Sequence, residues 1–177
     1  MMHPVMCADR EDAMRIRPTA RLLVLDDQQR LLLFHIHDSE PLHEGFPDMT
    51  IYWCTPGGGV EPDETFEQAA QRELWEEAGI ALATVGPCVW HNQRILSGST
   101  GRVQLHERFF LVRVPNASVS LANMLAYEQK THRAYHWWTQ AELAQSREWF
   151  VPPKLPRFLA PLLDGDIPAS PVHLHAE

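Results

Sequence analysis

The sequence predicts an α+β fold, a mixed sheet packed between helices as an αβα sandwich, from three observations. Residues 19–25 and 30–37 are rich in Leu and Val and are separated by the polar Asp26-Asp27-Gln28-Gln29, which reads as a β-hairpin. A helix with clear start and stop signals follows over residues 66–78. Two further apolar runs, 88–96 and 103–114, flank Ser97-Gly98-Ser99-Thr100-Gly101, and short helical segments close the chain.

Taken in order, residues 1–16 carry no clear period and are expected to form a loosely ordered extension. In the second strand of the hairpin Leu32, Phe34 and Ile36 share one face, while Leu31, Leu33, His35 and His37 share the other. One face is expected to be core and the other to drift towards solvent. His35 and His37 point the same way, but two imidazoles are too few for a closed zinc site, so packing or substrate contact is the expected role. Residues 38–49 form a polar loop long enough to serve as a lid or specificity loop. Thr50 to Thr55 is a β-branched and aromatic strand that runs directly into Pro56-Gly57-Gly58-Gly59, where backbone can approach an ion or phosphate closely.

Thr65 is a good N-cap, Gln68 completes a capping box, and Gly79 stands where a left-handed cap ends the helix. Phe66, Ala69 and Ala70 make an apolar stripe that continues into Glu73, Glu76 and Glu77. Carboxylates one turn apart repel one another, and the C-terminal half of a helix disfavours anions. A cation is wanted there. An oxygen-only ligand set suits a hard divalent ion such as Mg²⁺, with Mn²⁺ as a substitute.

Beyond this helix, the 103–114 strand alternates Phe109 and Leu111 with polar neighbours, so a half-buried sheet is expected, with Arg94, Arg102, Glu107 and Arg108 facing solvent. Tyr135-His136-Trp137-Trp138 reads as a strand, Thr139 to Glu142 as a capping-box start, and 152–163 as a proline-bearing amphipathic helix packing on the sheet. The last dozen residues are expected to fray, and His173 and His175 to have no role. The domain therefore spans 17–165, with a tail at 166–177.

The formal charge of -8 excludes a general nucleic-acid binder. Cys7, Cys54 and Cys88 are odd in number and lack ligand spacing, which fits buried thiols in a reducing compartment. There is no run long enough to span a membrane and no signal-peptide core, so a cytoplasmic protein is expected. A small-molecule partner is expected, with neither nucleic acid nor membrane; a homodimer is the oligomer left open.

Gly58, Glu64, Arg72-Glu73-Leu74, Glu76-Glu77 and Gly79-Ile80 stand at the spacing of the Nudix box. Here the chain resembles the Nudix hydrolase family, which cleaves diphosphate linkages in nucleoside diphosphates joined to another moiety. The resemblance implies the Nudix fold, with Glu73, Glu76, Glu77 and the Gly58 carbonyl as metal ligands and Arg72 orienting the carboxylates. It also implies a supporting role for Glu64. Asp63 replaces the glycine that many members carry before the first box glutamate, a change expected in the turn and not in the chemistry. Glu128, ahead of a Trp-containing strand, matches a glutamate that in this family supplies a further ligand or the general base. The base is left open among Glu73, Glu77 and Glu128.

The proline of the family's ADP-ribose subgroup is missing around Ile95, and the tyrosine associated with dinucleoside polyphosphate cleavage is missing from Arg94 to Gly98. A nucleoside triphosphate pyrophosphohydrolase or a nucleotide-sugar hydrolase stays open. Two other classes stand beside them: a nucleotide-binding regulatory domain, and an isomerase of isopentenyl diphosphate, for which Cys54 is the only cysteine near the box.

Overall fold

A computed structural model describes residues 14–39, 49–82, 84–98, 101–115 and 118–174. Most of the N-terminal extension with Cys7, the core of the 38–49 loop, the tip of the 97–101 turn and His175 lie outside them. The elements run β1 (Arg15–Leu25), β2 (Leu31–His37), β3 (Ile51–Cys54), α1 (Phe66–Ala78), β4 (Cys88–Gly98) and β5 (Gly101–Arg113), then α2 (Glu128–Thr131), β6 (His132–Trp138), α3 (Gln140–Gln145), β7 (Phe150–Val151), α4 (Leu155–Leu163) and β8 (Val172–Leu174).

The β1–β2 hairpin forms, but its strands stay paired only at Leu25 and Leu31. Past that point they separate. β1 runs parallel to β5 along its whole length, whereas β2 pairs antiparallel with β3 and with β6. The free edge of β1 is filled by the glycine turn: Ala20 N–H donates to Gly58 O and Leu22 N–H to Pro56 O, both at 2.9 Å, and Val60 N–H donates to Pro18 O at 3.0 Å. Thus the turn occupies the place of a strand beside β1.

Both faces of the sheet are buried, which corrects the one-faced reading of both β2 and β5. On one face Ala20, Leu22, Leu32, Phe34 and Phe110 pack with Ala69, Ala70 and Leu74 of α1. On the other Leu23, Leu31, Leu33, Phe109 and Leu111 pack under Leu143 of α3 and Leu155, Leu159 and Leu162 of α4. Two helical layers cover a sheet whose strands alternate apolar residues to both sides, giving the expected sandwich. The late helix lies where its amphipathic pattern placed it.

The chain end departs from expectation. β8 extends the sheet by pairing parallel with β4, Leu174 is buried, and His173 meets His91 with ring centroids 5.3 Å apart. Short parallel pairing of this kind leaves no local periodic signal. Likewise His35 stacks on Trp53 at 4.6 Å and touches His37 edge-on at 4.9 Å, so the strand histidines pack in an aromatic cluster. No helix among the described residues is long and apolar enough to cross a membrane.

Leu159 is fully buried between α4 and the sheet. Leu159→Ala is expected to lower the unfolding free energy by about 2–5 kcal/mol in urea titrations, as a lost buried side chain plus the cavity it leaves.

Candidate active site

The site begins with the helix that carries it. Thr65 caps α1 by accepting from Gln68 N–H, the Gln68 side chain answers to Thr65 N–H, and Gly79 closes the helix at φ 68°. These local devices fix both ends of the helix. Glu73 and Glu77 then lie one turn apart and buried, facing the turn after β3.

Glu128 joins them from α2. Glu73, Glu77 and Glu128 each offer an oxygen, and these atoms lie within 4.8 Å of one another. All three residues are no more than 5% exposed. Glu76 stands outside this tightest group, more exposed at the rim, where its carboxylate accepts from Arg72 at 3.1 Å. The Gly58 carbonyl accepts from Ala20 N–H and keeps its second lone pair.

Arg72 bridges the turn and the carboxylates. It binds both Glu64 oxygens at 2.9 Å, Glu73 Oε1 at 2.8 Å and the Gly59 carbonyl at 2.9 Å. One guanidinium therefore ties the turn to two box glutamates and to Glu64, using the forked donors that lysine lacks. Glu77 is held from two sides, by Gly57 N–H at 2.7 Å and by His132 Nε2 at 3.3 Å. Glu128 Oε2 accepts from Leu125 N–H at 2.8 Å.

Electrostatics follow from crowding. Burial, then the charge of Glu77, pushes the Glu73 carboxyl up to about 7 despite Arg72. Burial alone would lower the His132 pKa, but the hydrogen bond and charge of Glu77 outweigh it and hold it above its ordinary value. A buried, oxygen-only set of three carboxylates with so little compensating charge fits a hard divalent cation. A Cβ at Gly58 would run into the Glu73 carboxylate, so glycine here lets that carboxylate keep its place.

Several participants escaped the sequence reading. His132 lies ahead of the strand expected at Tyr135 to Trp138, yet it begins β6, beside Glu77 and edge-on to Phe34. Arg21, Asn92, Arg94 and Glu107 form a buried network, not a solvent-facing surface: Glu107 is 2% exposed and accepts from the other three. An arginine inside a Leu/Val run was the available signal for the first of them. Tyr127 lies beside the carboxylates, with burial first and the charge of Glu128 next in pushing its phenol up to about 12. Cys54 is buried in the core, and burial pushes its thiol up to about 12.

A mixed sheet between helices, with clustered carboxylates on a capped helix behind a glycine turn, defines a family as well as a site. A family model described as NUDIX domain matches residues 15–160, and the chain belongs to that family. Among curated proteins, the CTP pyrophosphohydrolase of Escherichia coli K12 is 43% identical over 77 residues, covering 37% of this chain and 56% of that protein. Phosphatase NudJ of E. coli O1:K1 is 59% identical over 29 residues, covering 16% of this chain and 19% of that protein. The matched stretches thus span about half of the first of these relatives and a fifth of the second. Among solved structures, the MutT protein of Methanosarcina mazei Go1 superposes with a TM-score of 0.63 at 20% identity, covering 87% of this chain and 96% of that one, a likeness of fold. The E. coli ORF135 protein gives 0.60 at 26% identity over 89% of this chain and 96% of that one.

Two outcomes test this geometry. Gly58→Ala is expected to displace Glu73 and weaken Mn²⁺ binding at least roughly tenfold in calorimetric titrations while the far-ultraviolet circular dichroism is unchanged. The second concerns pH. Burial would raise the Glu107 pKa, but the charges of Arg94 and Arg21 and the hydrogen bonds of Arg94 and Asn92 hold it below the ordinary 4.5. Its contribution to stability is therefore fully present above that value and is lost as the pH falls through the lower folded-state value. Glu107→Gln is expected to flatten the fall in urea-unfolding free energy below about pH 5 relative to wild type.

Proposed function

We propose that the protein is a Mg²⁺-dependent hydrolase that cleaves the diphosphate linkage of a nucleoside di- or triphosphate derivative. The observation that carries this reading is the buried trio Glu73, Glu77 and Glu128, with oxygens within 4.8 Å of one another beside a glycine turn. Glu73, Glu77 and Glu128, with Glu76 and the Gly58 carbonyl at the rim, would hold the divalent ion. Such an ion, when bound, offsets the charge of a diphosphate and of its transition state and acidifies a coordinated water.

The chain's own groups set the rest. Arg72 keeps Glu73 and Glu76 at fixed distances from the turn, so the ligand set is built before substrate arrives. Glu77 has both oxygens engaged, Oε2 by Gly57 N–H and Oε1 by His132, which suits a fixed ligand and not a proton carrier. Glu73 Oε1 is engaged by Arg72. Glu128 comes from a separate element, with Oε2 accepting from Leu125 N–H, and is the carboxylate we assign to take the proton of the attacking water. Products would be a nucleoside monophosphate and a phosphorylated leaving group, or pyrophosphate from a triphosphate.

The likeness to the E. coli CTP pyrophosphohydrolase supports nucleoside triphosphates, cytidine triphosphate among them, as the first substrates to try. The isomerase reading loses its support, because its one nearby thiol, Cys54, is buried in the core and hard to ionise.

The reading is tested by phosphate and pyrophosphate release from nucleoside triphosphates, nucleotide sugars, ADP-ribose and dinucleoside polyphosphates, with and without Mg²⁺. Metal-dependent turnover is expected for at least one class, falling by roughly a hundredfold or more in Glu77→Gln. Glu128→Gln is expected to lose kcat by a similar factor while weakening Mn²⁺ binding less than Glu77→Gln does. Nucleotide binding without turnover across the panel would replace this reading with a regulatory one.

A further inference from the structure

We infer that Arg21, anchored by Glu107, is a positioning residue for Glu77 and acts across the sheet through the glycine turn; this rests on the hydrolase reading above. Glu107 is buried and alternates along β5 with Phe109 and Leu111, which face α4, and Arg21 Nε reaches its Oε1 at 3.2 Å. Arg94 binds both of its oxygens at 3.1 Å and Asn92 Nδ2 donates at 2.8 Å. One end of the Arg21 guanidinium is thereby fixed.

The other end grips the turn. Arg21 NH1 donates to the Gly57 carbonyl at 2.9 Å and lies 3.4 Å from the Thr55 carbonyl. Those carbonyls belong to the peptide units on either side of Pro56–Gly57. The unit between them accepts from Leu22 N–H at 2.9 Å through Pro56 O and presents Gly57 N–H to Glu77 Oε2 at 2.7 Å. A donor buried on one face of the sheet is therefore two peptide units from a ligand on the other.

Gly57 makes this grip matter. Its φ is +130°, and a Cβ would collide with the Ala20 carbonyl, so only glycine fits. Glycine has the widest backbone freedom, and no side chain of its own restrains the direction of its N–H and carbonyl. Arg21 supplies the restraint from outside, holding the Gly57 carbonyl while Leu22 holds the preceding one. A lysine in its place has no rigid fork with which to bind Glu107 and the turn together. Two guanidiniums also face one carboxylate, leaving a net positive charge beneath the turn that favours an anion at Glu77.

The test uses the full chain and Mn²⁺ alone as probe. Calorimetric Mn²⁺ titration is combined with ¹⁵N–¹H spectra of the metal-free protein, in which an amide bonded to a carboxylate at 2.7 Å is expected far downfield. Arg21→Lys is expected to weaken Mn²⁺ binding by roughly tenfold, the low end for groups that orient a metal's ligands, and to move the Gly57 amide proton upfield. Leu159→Ala, which destabilises the same side of the sheet, is expected to leave both readouts in place. If Arg21→Lys fails to fold, Glu107→Gln replaces it with the same expectation. Loss of Mn²⁺ affinity in Glu77→Gln, together with an Arg21 or Glu107 variant no different from Leu159→Ala, would overturn this inference alone. Absence of Mn²⁺ binding in wild type would remove the hydrolase reading and this inference with it.

Discussion

Mutual repulsion among three buried carboxylates is the constraint on which the rest of the structure depends. Glu73, Glu77 and Glu128 approach within 4.8 Å while almost wholly withdrawn from water. Left alone, such groups would swing apart or take up protons. Each is instead held by a donor anchored elsewhere: Glu73 by Arg72, Glu77 by Gly57 N–H and His132, Glu128 by Leu125 N–H. Burial, and then the charge of Glu77, raises the Glu73 carboxyl to about 7, so Arg72 offsets only part of the crowding. The fold holds these carboxylates in place with their charge only partly offset.

The splayed hairpin follows from the same need. Had β1 and β2 stayed paired along their lengths, both edges of β1 would be strands, with β5 on one side and β2 on the other. Parting after Leu25 and Leu31 opens one edge of β1, and the turn from Pro56 to Val60 fills it. The turn's backbone groups are satisfied by β1 instead of solvent, so the turn is as fixed as a strand while its Gly57 N–H is aimed at α1. β1 is thus the frame of the site although it contributes no carboxylate to it.

Local signals were legible, and pairings distant in sequence were not. The caps of α1, its acidic stripe and the glycine turn lie within one stretch and could be read there. Arg21 and Glu107 are 86 residues apart, and each alone looks like an ordinary polar position on a strand. His132 gave no signal because its contact with Glu77 reaches across the fold. β5 misled for a related reason: alternation implies one buried face only if the other meets solvent, and here the face of Phe110 and Val112 is covered by α1. β8 is too short to announce itself, and it is set by the edge of β4.

The division of labour between the two faces explains why buried charge is tolerated on both. On the α1 side the carboxylates are under-compensated, which is what a site for a cation requires. On the α4 side Glu107 faces two guanidiniums and Asn92, so its charge is more than met and its pKa falls instead of rising. A buried network of this kind gives little net stability compared with an apolar core, and breaking one partner is costly. Its retention beneath the turn is better explained by geometry: a guanidinium anchored at one end by charge can hold two carbonyls at the other with a rigidity that no apolar side chain offers. The two networks meet at Gly57, whose carbonyl answers to one and whose N–H answers to the other.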